Sequence, residues 1–173
     1  MAVLYETERL VVRDLTDDDA PALYEMHRHD EVMRWLAGKP STGVDEELAR
    51  LGSWRARGGD GYGFFGIELR ETGELVGVLV FKPFDDLPYF DLGWRLRPDA
   101  WGKGYATEAG RGGVRHAFET LGLDEIAATT LPDNARSRAV MERLGMTYAG
   151  EVVHAGLPHV LYVLRREGVS PSS

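Results

Sequence analysis

The stretch that decides the fold of this chain is WGKGYATE, residues 101–108, which places two glycines and a lysine between a strand-like run and a helical pattern. The run DLGWRL ends at Leu96, and the helical pattern begins at Ala106. The first turn of a helix exposes about four backbone N–H groups and the positive end of the helix dipole, and both attract phosphate. Gly102 and Gly104 lack a Cβ, so a diphosphate can approach the backbone closely. The stretch therefore predicts a phosphate-binding loop at a helix start.

Two common phosphate motifs are excluded by spacing. The ATP-type loop, G-x-x-x-x-G-K-[ST], needs Ser or Thr after its lysine, whereas Gly104 follows Lys103. The dinucleotide motif G-x-G-x-x-G needs a third glycine at position 107, which is Thr107, inside a parallel unit. A turn that only joins a strand to a helix stays open as the alternative for an isolated G-x-G.

The helix after the loop has an unusually flat face. Positions 106, 109, 110, 113 and 117 are Ala, Ala, Gly, Gly and Ala. Each glycine inside a helix costs roughly 1 kcal/mol relative to alanine. The pattern therefore predicts that another part of the chain packs very close to this helix.

Composition narrows the class of protein. The chain has 173 residues, 43% hydrophobic and 28% charged, with no cysteine and a net charge of −8. It predicts one domain, residues 1–168, with a disordered tail at 169–173, and no membrane span. The N-terminus lacks the pattern of a secretory signal, so we expect a cytoplasmic protein. Missing cysteines exclude disulfides and thiolate nucleophiles, and the negative charge argues against general nucleic-acid binding.

Hydrophobic periodicity divides the chain into short strands and helices. Strand-like runs lie at 10–13, 64–69, 75–81, 89–96, 126–130, 146–153 and 160–165, and helical patterns at 16–27, 30–36, 44–57, 106–121 and 134–144. Short links join the three runs between 64 and 96, which predicts an antiparallel meander. We expect a turn at 156–158 between the last two strands.

The chain resembles the GNAT superfamily of acyl-CoA N-acyltransferases in three segments: ETERLVVRDL, DLGWRLRPDAWGKGYATEA and LPDNARSRAVMERLGMTYAGE. Within it, they are similar to the branch of ribosomal-protein alanine N-acetyltransferases and their small-molecule relatives. The resemblance implies an α+β fold in the order βααβββαβαββ, with a mixed, mostly antiparallel sheet of about seven strands and helices on both faces. It also implies acetyl-CoA as cosubstrate, a primary amine as acceptor, and a homodimer.

The resemblance also implies where acetyl-CoA binds. The backbone from Gly102 to Thr107 would hold the diphosphate, and Asn134 would hydrogen-bond the pantetheine arm. The strand edge at Leu96 would pair with that arm, and the Leu96 N–H would stabilise the oxyanion. The full set of implied cofactor-binding residues is Leu96, Trp101, Gly102, Lys103, Gly104, Tyr105, Ala106, Thr107, Asn134 and Ser137.

The sequence departs from the family pattern at two positions. Trp101 replaces the usual Gln or Arg, and either packs or lies against apolar parts of the cofactor. Met141 replaces the tyrosine that protonates the departing thiolate in many members, and methionine has no proton to give. The resemblance assigns that role to Ser137, for which an ordinary helix-capping serine is the alternative.

Other site residues are weaker candidates. Asp91 is a candidate general base, together with Glu68, Glu151 and His154. Trp35, Tyr89 and Trp94 are candidates to line the acceptor site. The histidines show no metal-ligand spacing, so we expect no metal.

The sequence therefore favours an N-acetyltransferase that uses acetyl-CoA to acetylate a protein N-terminus or a small-molecule amine. A non-catalytic CoA-binding sensor or interaction module is the alternative, because of Met141 and the undecided base. A nucleotide-binding protein ranks last, since no magnesium-binding carboxylate pattern accompanies the loop.

Overall fold

The computed structural model describes residues 1–36 and 38–168. The strands are β1 (Val3–Glu6), β2 (Leu10–Asp14), β3 (Gly63–Leu69), β4 (Leu75–Pro83), β5 (Phe90–Leu96), β6 (Glu125–Thr130), β7 (Thr147–His154) and β8 (Leu157–Arg165). The helices are α1 (Ala20–His27), α2 (Asp30–Met33), α3 (Val44–Ala56), α4 (Tyr105–Arg115) and α5 (Ala135–Arg143). A wider helical turn, His116–Thr120, extends α4.

Over the described residues, the strands form one eight-stranded sheet in the order β1-β2-β3-β4-β5-β6-β8-β7. Its neighbours are antiparallel except β5 and β6, which are parallel. The predicted α+β fold with a mixed, mostly antiparallel sheet is confirmed. The sequence predicted about seven strands. The additional strand is β1, which pairs with β2 at the sheet edge. It has four residues, which is too short to show a clear alternation of apolar side chains.

The last hairpin differs from the sequence prediction. The expected turn at 156–158 is wrong, since β8 already begins at Leu157 and includes Pro158. β6 pairs with β8 only from Val160 onward, so Pro158 extends past the end of β6. Proline is tolerated in a strand where its missing N–H leaves no ladder bond unmade.

The sheet is covered on both faces. On one face, Val78 of β4 packs with Leu23 of α1 and Leu51 of α3. On the other, Leu92 of β5 lies in a cluster with Ala109 of α4. β4 is central and has eight of its nine residues buried, which explains why it appears in the sequence as a continuous apolar run.

The flat face of α4 lies against the rest of the molecule, as its glycines predicted. A Cβ at Gly110 would lie 2.7 Å from Leu144, and one at Gly113 would lie 2.7 Å from Leu92. A Cβ at Gly112 would overlap the Tyr5 ring. These glycines let α4 approach the sheet closely.

Three expectations stay predictions or lie outside the description. The predicted tail at 169–173 lies outside the described residues, and the domain bounds 1–168 stay a prediction. The homodimer also stays a prediction. Among the described residues, no helix has the length and apolar character required to cross a membrane.

The close packing of α4 predicts that alanine destabilises the protein at a helix glycine in α4, whereas alanine stabilises it at an exposed helix glycine in α3. Gly112→Ala should lower the free energy of unfolding by about 1–3 kcal/mol, because its methyl group has to displace the Tyr5 ring. Gly52→Ala, at an exposed position of α3 with no atom within 4 Å of the new Cβ, should raise it by up to about 1 kcal/mol. Urea unfolding measures both changes, and a Gly112→Ala protein as stable as Gly52→Ala would contradict the packing argument.

Candidate active site

The site lies where the two parallel strands separate. Among the described residues, β5 and β6 pair at one position, Asp91 with Ala127. Toward their C-terminal ends the strands diverge, and a cavity of about 480 Å³ reaches Leu96 on β5 and Thr130 on β6. This volume is within the range of small-molecule sites, about 300–1,000 Å³.

The cavity contacts both faces of the sheet. Successive β5 side chains point to opposite faces, so Leu92 faces α4 whereas Arg95 faces α1 and α3. Both residues line the cavity, together with Ser137 of α5 and Trp35, which precedes α3. The cavity therefore runs through the gap in the sheet and is open to ligand groups from both faces.

The edge of β5 presents its backbone to this gap. The Arg97 N–H donates to the Val76 carbonyl at 2.8 Å, and Arg97 follows directly after Leu96. Hydrogen bonds of neighbouring residues in an antiparallel strand alternate between its two edges. The Leu96 N–H therefore points away from β4, into the gap, where a ligand oxygen can accept it.

The glycine loop shapes the other end of the site. Gly102 and Gly104 have φ values of +74° and +81°, in the left-handed region that favours glycine. The first hydrogen bond of α4 is from the Glu108 N–H to the Gly104 carbonyl. The N–H groups of residues 105–107 precede it, so they have no acceptor within the helix. Ala106 and Trp101 line the cavity itself, whereas the other loop residues lie beside it.

An arginine that sequence reasoning left without a role supports this loop. Arg9 donates from Nη1 to the Lys103 carbonyl at 2.8 Å and from Nε to Glu108 at 2.7 Å. Its guanidinium lies 4.6 Å from the centre of the Tyr105 ring. The only sequence signal was its place in ETERL, far from the loop in the chain. The loop is thus held from the N-terminal strands.

Trp101 closes the loop against β5. Its indole N–H donates to the Leu96 carbonyl at 3.0 Å. The Arg136 guanidinium of α5 lies 4.0 Å from the centre of the Trp101 ring, and Arg136 also lines the cavity. Position 101 is Trp instead of the Gln or Arg of the family pattern, and Arg136 of α5 supplies a positive charge next to it.

Asn134 and Ser137 form a network at the start of α5. Asn134 is buried, accepts from the Ser137 N–H and is the helix N-cap. Its Nδ2 donates to Thr130 Oγ1 at 3.0 Å and to Ser137 Oγ at 3.2 Å. Both Nδ2 hydrogens are therefore used within the protein, which leaves a lone pair on Oδ1 for a ligand. The Ser137 O–H remains free to donate into the cavity.

Asp91 lies on the cavity wall beside three cationic or ionisable neighbours. Burial raises its pKa to about 7, although the charges of Lys82, His154 and Arg95 oppose this rise. Lys82 stands directly across from it on β4. A carboxyl group that is half ionised near neutral pH can accept a proton and release it again.

Arg95 occupies the same face as Asp91, four residues further along β5. Its Nη1 contacts His27 Nε2 at 3.4 Å, and its guanidinium lies 5.4 Å from the Trp54 ring centre. Burial lowers the pKa of Arg95 to about 10. His27 and Glu47, both fully buried, are joined at 2.9 Å, and burial lowers the pKa of His27. Sequence reasoning missed this cluster.

The remaining candidates fall into two groups. Trp35, Trp94, Met141 and His154 line the cavity. Tyr89 lies apart from it, packed beside Phe84, Ala127, Leu161 and Val163. Glu68 pairs with Arg13 at 2.6 Å, and Glu151 is exposed on β7. In the described part of the chain, no group of His, Cys, Asp and Glu side chains has the arrangement of a metal site.

Comparison with known sequences gives a consistent picture. A family model described as "Acetyltransferase (GNAT) domain" matches residues 9–147. The uncharacterized N-acetyltransferase YoaA of Bacillus subtilis (strain 168) is 29% identical over 152 residues, covering 87% of this chain and 86% of that protein. FsC-acetyl coenzyme A-N(2)-transacetylase of Aspergillus fumigatus is 34% identical over 152 residues, covering 82% of this chain and 64% of that protein.

Solved structures agree with the sequence matches. A GNAT-family acetyltransferase from Bacillus anthracis superposes with a TM-score of 0.80 at 26% identity, covering 95% of this chain and 98% of that one. Mycobacterium smegmatis RimJ, in complex with CoA-disulfide, superposes with a TM-score of 0.76 at 26% identity, covering 94% and 85%.

Proposed function

This chain belongs to the GNAT family of acetyltransferases and is an acetyl-CoA-dependent N-acetyltransferase, and we propose that it acetylates a primary amine of a small molecule or a protein N-terminus. The observation that carries the proposal is the cavity that runs through the gap between β5 and β6. The thioester can enter from the α4 face and the amine from the α1 and α3 face.

The first test is turnover. Amino acids, polyamines, aminoglycosides and N-terminal peptides are incubated with acetyl-CoA, and free thiol is measured. We expect at least one amine to release thiol and gain an acetyl group. Binding of CoA without thiol release for any amine would contradict the proposal and favour a sensor.

The residues present fit acetyl-CoA. Open space surrounds the position of a Cβ at Gly102, and the N–H groups at the start of α4 are donors for a diphosphate. At Leu96 the carbonyl accepts from Trp101, so the N–H is the backbone group that is left for the thioester end of the pantetheine arm. Arg136 adds a positive charge next to the loop. We propose that these groups hold acetyl-CoA.

The reaction is attack of a neutral amine on the thioester carbon, which breaks the C–S bond and leaves a thiolate. We propose that the Leu96 N–H donates to the carbonyl oxygen as negative charge develops on it. Ser137, whose Oγ accepts from Asn134, donates its O–H proton to the departing sulfur and regains a proton that the attacking nitrogen loses as the amide forms, so the products are the amide, CoA thiol and a neutral serine. Among the described cavity-lining residues there is no tyrosine that competes for this role.

Asp91 is the proposed general base. An ammonium group has no lone pair, so the acceptor must lose a proton before attack. Asp91 lies on the acceptor face of β5, and a pKa of about 7 lets it take this proton near neutral pH. Five residues separate it from Leu96, about 16 Å between Cα atoms, so the proton reaches it through a chain of waters along the cavity. Glu68 and Glu151 lie outside the cavity lining, so they are not carried into the proposal.

Gly104→Val should weaken CoA binding by tenfold or more, about 1.4 kcal/mol, because its Cβ would meet Arg9 Nη2 at 3.3 Å and the branched side chain would displace the loop proposed to hold the diphosphate. The left-handed φ adds backbone strain, so Gly73→Val serves as the matched control: Gly73 has φ +74° in the β3–β4 turn, with open space around it. Calorimetry should show wild-type CoA affinity for the control. Unchanged affinity in a folded Gly104→Val protein would refute the loop assignment.

Ser137→Ala should lower kcat by roughly 10 to 1,000 fold while CoA affinity changes little, because the thiolate loses its proton donor. The helix cap is Asn134, so the thermal midpoint should fall only slightly. Ser137→Thr keeps a hydroxyl and should retain more activity than alanine. Normal turnover per folded Ser137→Ala molecule would leave water as the proton source.

The pH dependence tests Asp91. With an acceptor that is an ammonium ion, kcat/KM should rise with pH to a plateau above about 7, because the ionised carboxylate is the active form. Asp91→Asn should remove this rise and lower kcat/KM by about 10²–10⁴ fold. With an acceptor whose amine is already neutral at pH 7, Asp91→Asn should lower kcat/KM much less, because that amine needs no base before attack.

Asp85→Asn is the control for the loss of a nearby charge, since Asp85 is exposed and lies 3.8 Å from Lys82. It should keep the wild-type pH profile. A profile unchanged in Asp91→Asn would exclude Asp91 as the base.

A further inference from the structure

The acceptor end of the cavity contains one shielded cation without a carboxylate partner. Three lining cations are buried or half-buried: Arg50, Lys82 and Arg95. Arg50 bonds Glu46 and Glu47, and Lys82 lies 3.8 Å from Asp85. Over the described residues, Arg95 forms no ion pair, and its contacts are with His27 and the Trp54 ring.

The hydrogen-bonding capacity of Arg95 is largely unused. A guanidinium has five N–H donors in a planar fork. Nη1 contacts His27, whereas Nε is buried without a hydrogen-bond partner in the described part of the chain. A buried donor without a partner is costly, and a buried guanidinium is stabilised by a bidentate oxyanion. Burial and the charge of Arg50 lower its pKa to about 10, although the charges of Glu47 and Asp91 oppose this fall.

Arg95 and Asp91 face the same chamber. They lie on one face of β5, four residues apart, so their Cα atoms are about 13 Å from each other. Leu96, whose N–H points into the gap, directly follows Arg95. A small acceptor held by the guanidinium can therefore have its amine at the thioester, while Asp91 lies further along the chamber.

We propose that the acceptor is an amine that also carries a carboxylate, and that the guanidinium of Arg95 binds this carboxylate while the amine lies in the gap next to the Leu96 N–H. This inference rests on the proposed acetyltransfer and names the substrate class for the same site. The charge of the chamber favours a carboxylate over a phosphate dianion, because Arg50 and Lys82 already have carboxylate neighbours, and among the buried or half-buried cations described here Arg95 is the one that forms no ion pair. The substrate class is therefore a small amino acid or amino-acid derivative.

Matched acceptor pairs test the proposal. Each pair has the same amine with and without the carboxylate, for example 4-aminobutyrate against propylamine and 6-aminohexanoate against pentylamine. At least one acid should exceed its partner in kcat/KM by tenfold or more. Arg95→Met should remove that preference, and Arg95→Lys should keep part of it, because lysine retains the charge but not the planar fork.

Arg111→Met is the charge control, since Arg111 is exposed on α4, and it should keep the wild-type preference. Thermal midpoints of all variants confirm that each protein is folded. No preference for the acid in wild type, or an undiminished preference in Arg95→Met, would overturn the proposal.

Binding provides a readout that does not need turnover. Calorimetry with hexanoate and glutarate should show binding to wild type and at least tenfold weaker binding to Arg95→Met. If the carboxylates bind in this way but no amine is acetylated, the proposed function fails while the Arg95 site stands. If amines are acetylated but neither carboxylate binds, the function stands and the Arg95 site is refuted.

Discussion

The site depends on a backbone constraint: β5 and β6 are neighbours in the sheet but pair at one position among the described residues. Beyond Asp91 the inner edge of β5 has N–H and C=O groups without a strand partner. Unpaired buried backbone groups are costly, so such an edge needs other partners. Trp101 supplies one by donating to the Leu96 carbonyl, and the Leu96 N–H is left for a ligand. The gap is thus both a break in the sheet and a binding surface.

The helices keep this gap in place from both sides. α4 lies close to β5 because its inward positions are glycine and alanine, and α5 is tied to the end of β6 through Asn134 and Thr130. Both helices therefore begin at the same edge of the sheet, next to the gap. Their N-terminal N–H groups lie at that edge, where the proposed acetyl-CoA would bring its diphosphate. Helices that follow parallel strands commonly present their N-termini to ligands in this way.

The cavity lining is positively charged, although the protein as a whole is negatively charged. The chain has a net charge of −8, yet five arginine and lysine side chains line the cavity against two aspartates, Asp85 and Asp91. Arg136 stands near the glycine loop, whereas Arg95 and Lys82 stand at the acceptor end. In the proposed function, the cavity thus separates the region for the cofactor diphosphate from the region around Asp91.

Features that depend on a few neighbouring residues could be predicted from the sequence. They are the glycine turn at 102–104, the flat face of α4 and most of the strands, which follow from dihedral preferences and side-chain periodicity. The motifs also sufficed to identify the family.

Contacts between residues that are distant in the chain arise from the tertiary structure. In the described part of the chain, it brings Arg9 to the loop, Arg136 to Trp101, and Arg95 to a buried position where it forms no ion pair. The sequence offered four candidates for the base without separating them. The tertiary structure places Asp91 and His154 on the cavity wall and Glu68 and Glu151 outside the lining, and the raised pKa of Asp91 makes it the proposed base. Burial and desolvation arise from residues that are distant in the chain, so a pattern of neighbours does not contain them.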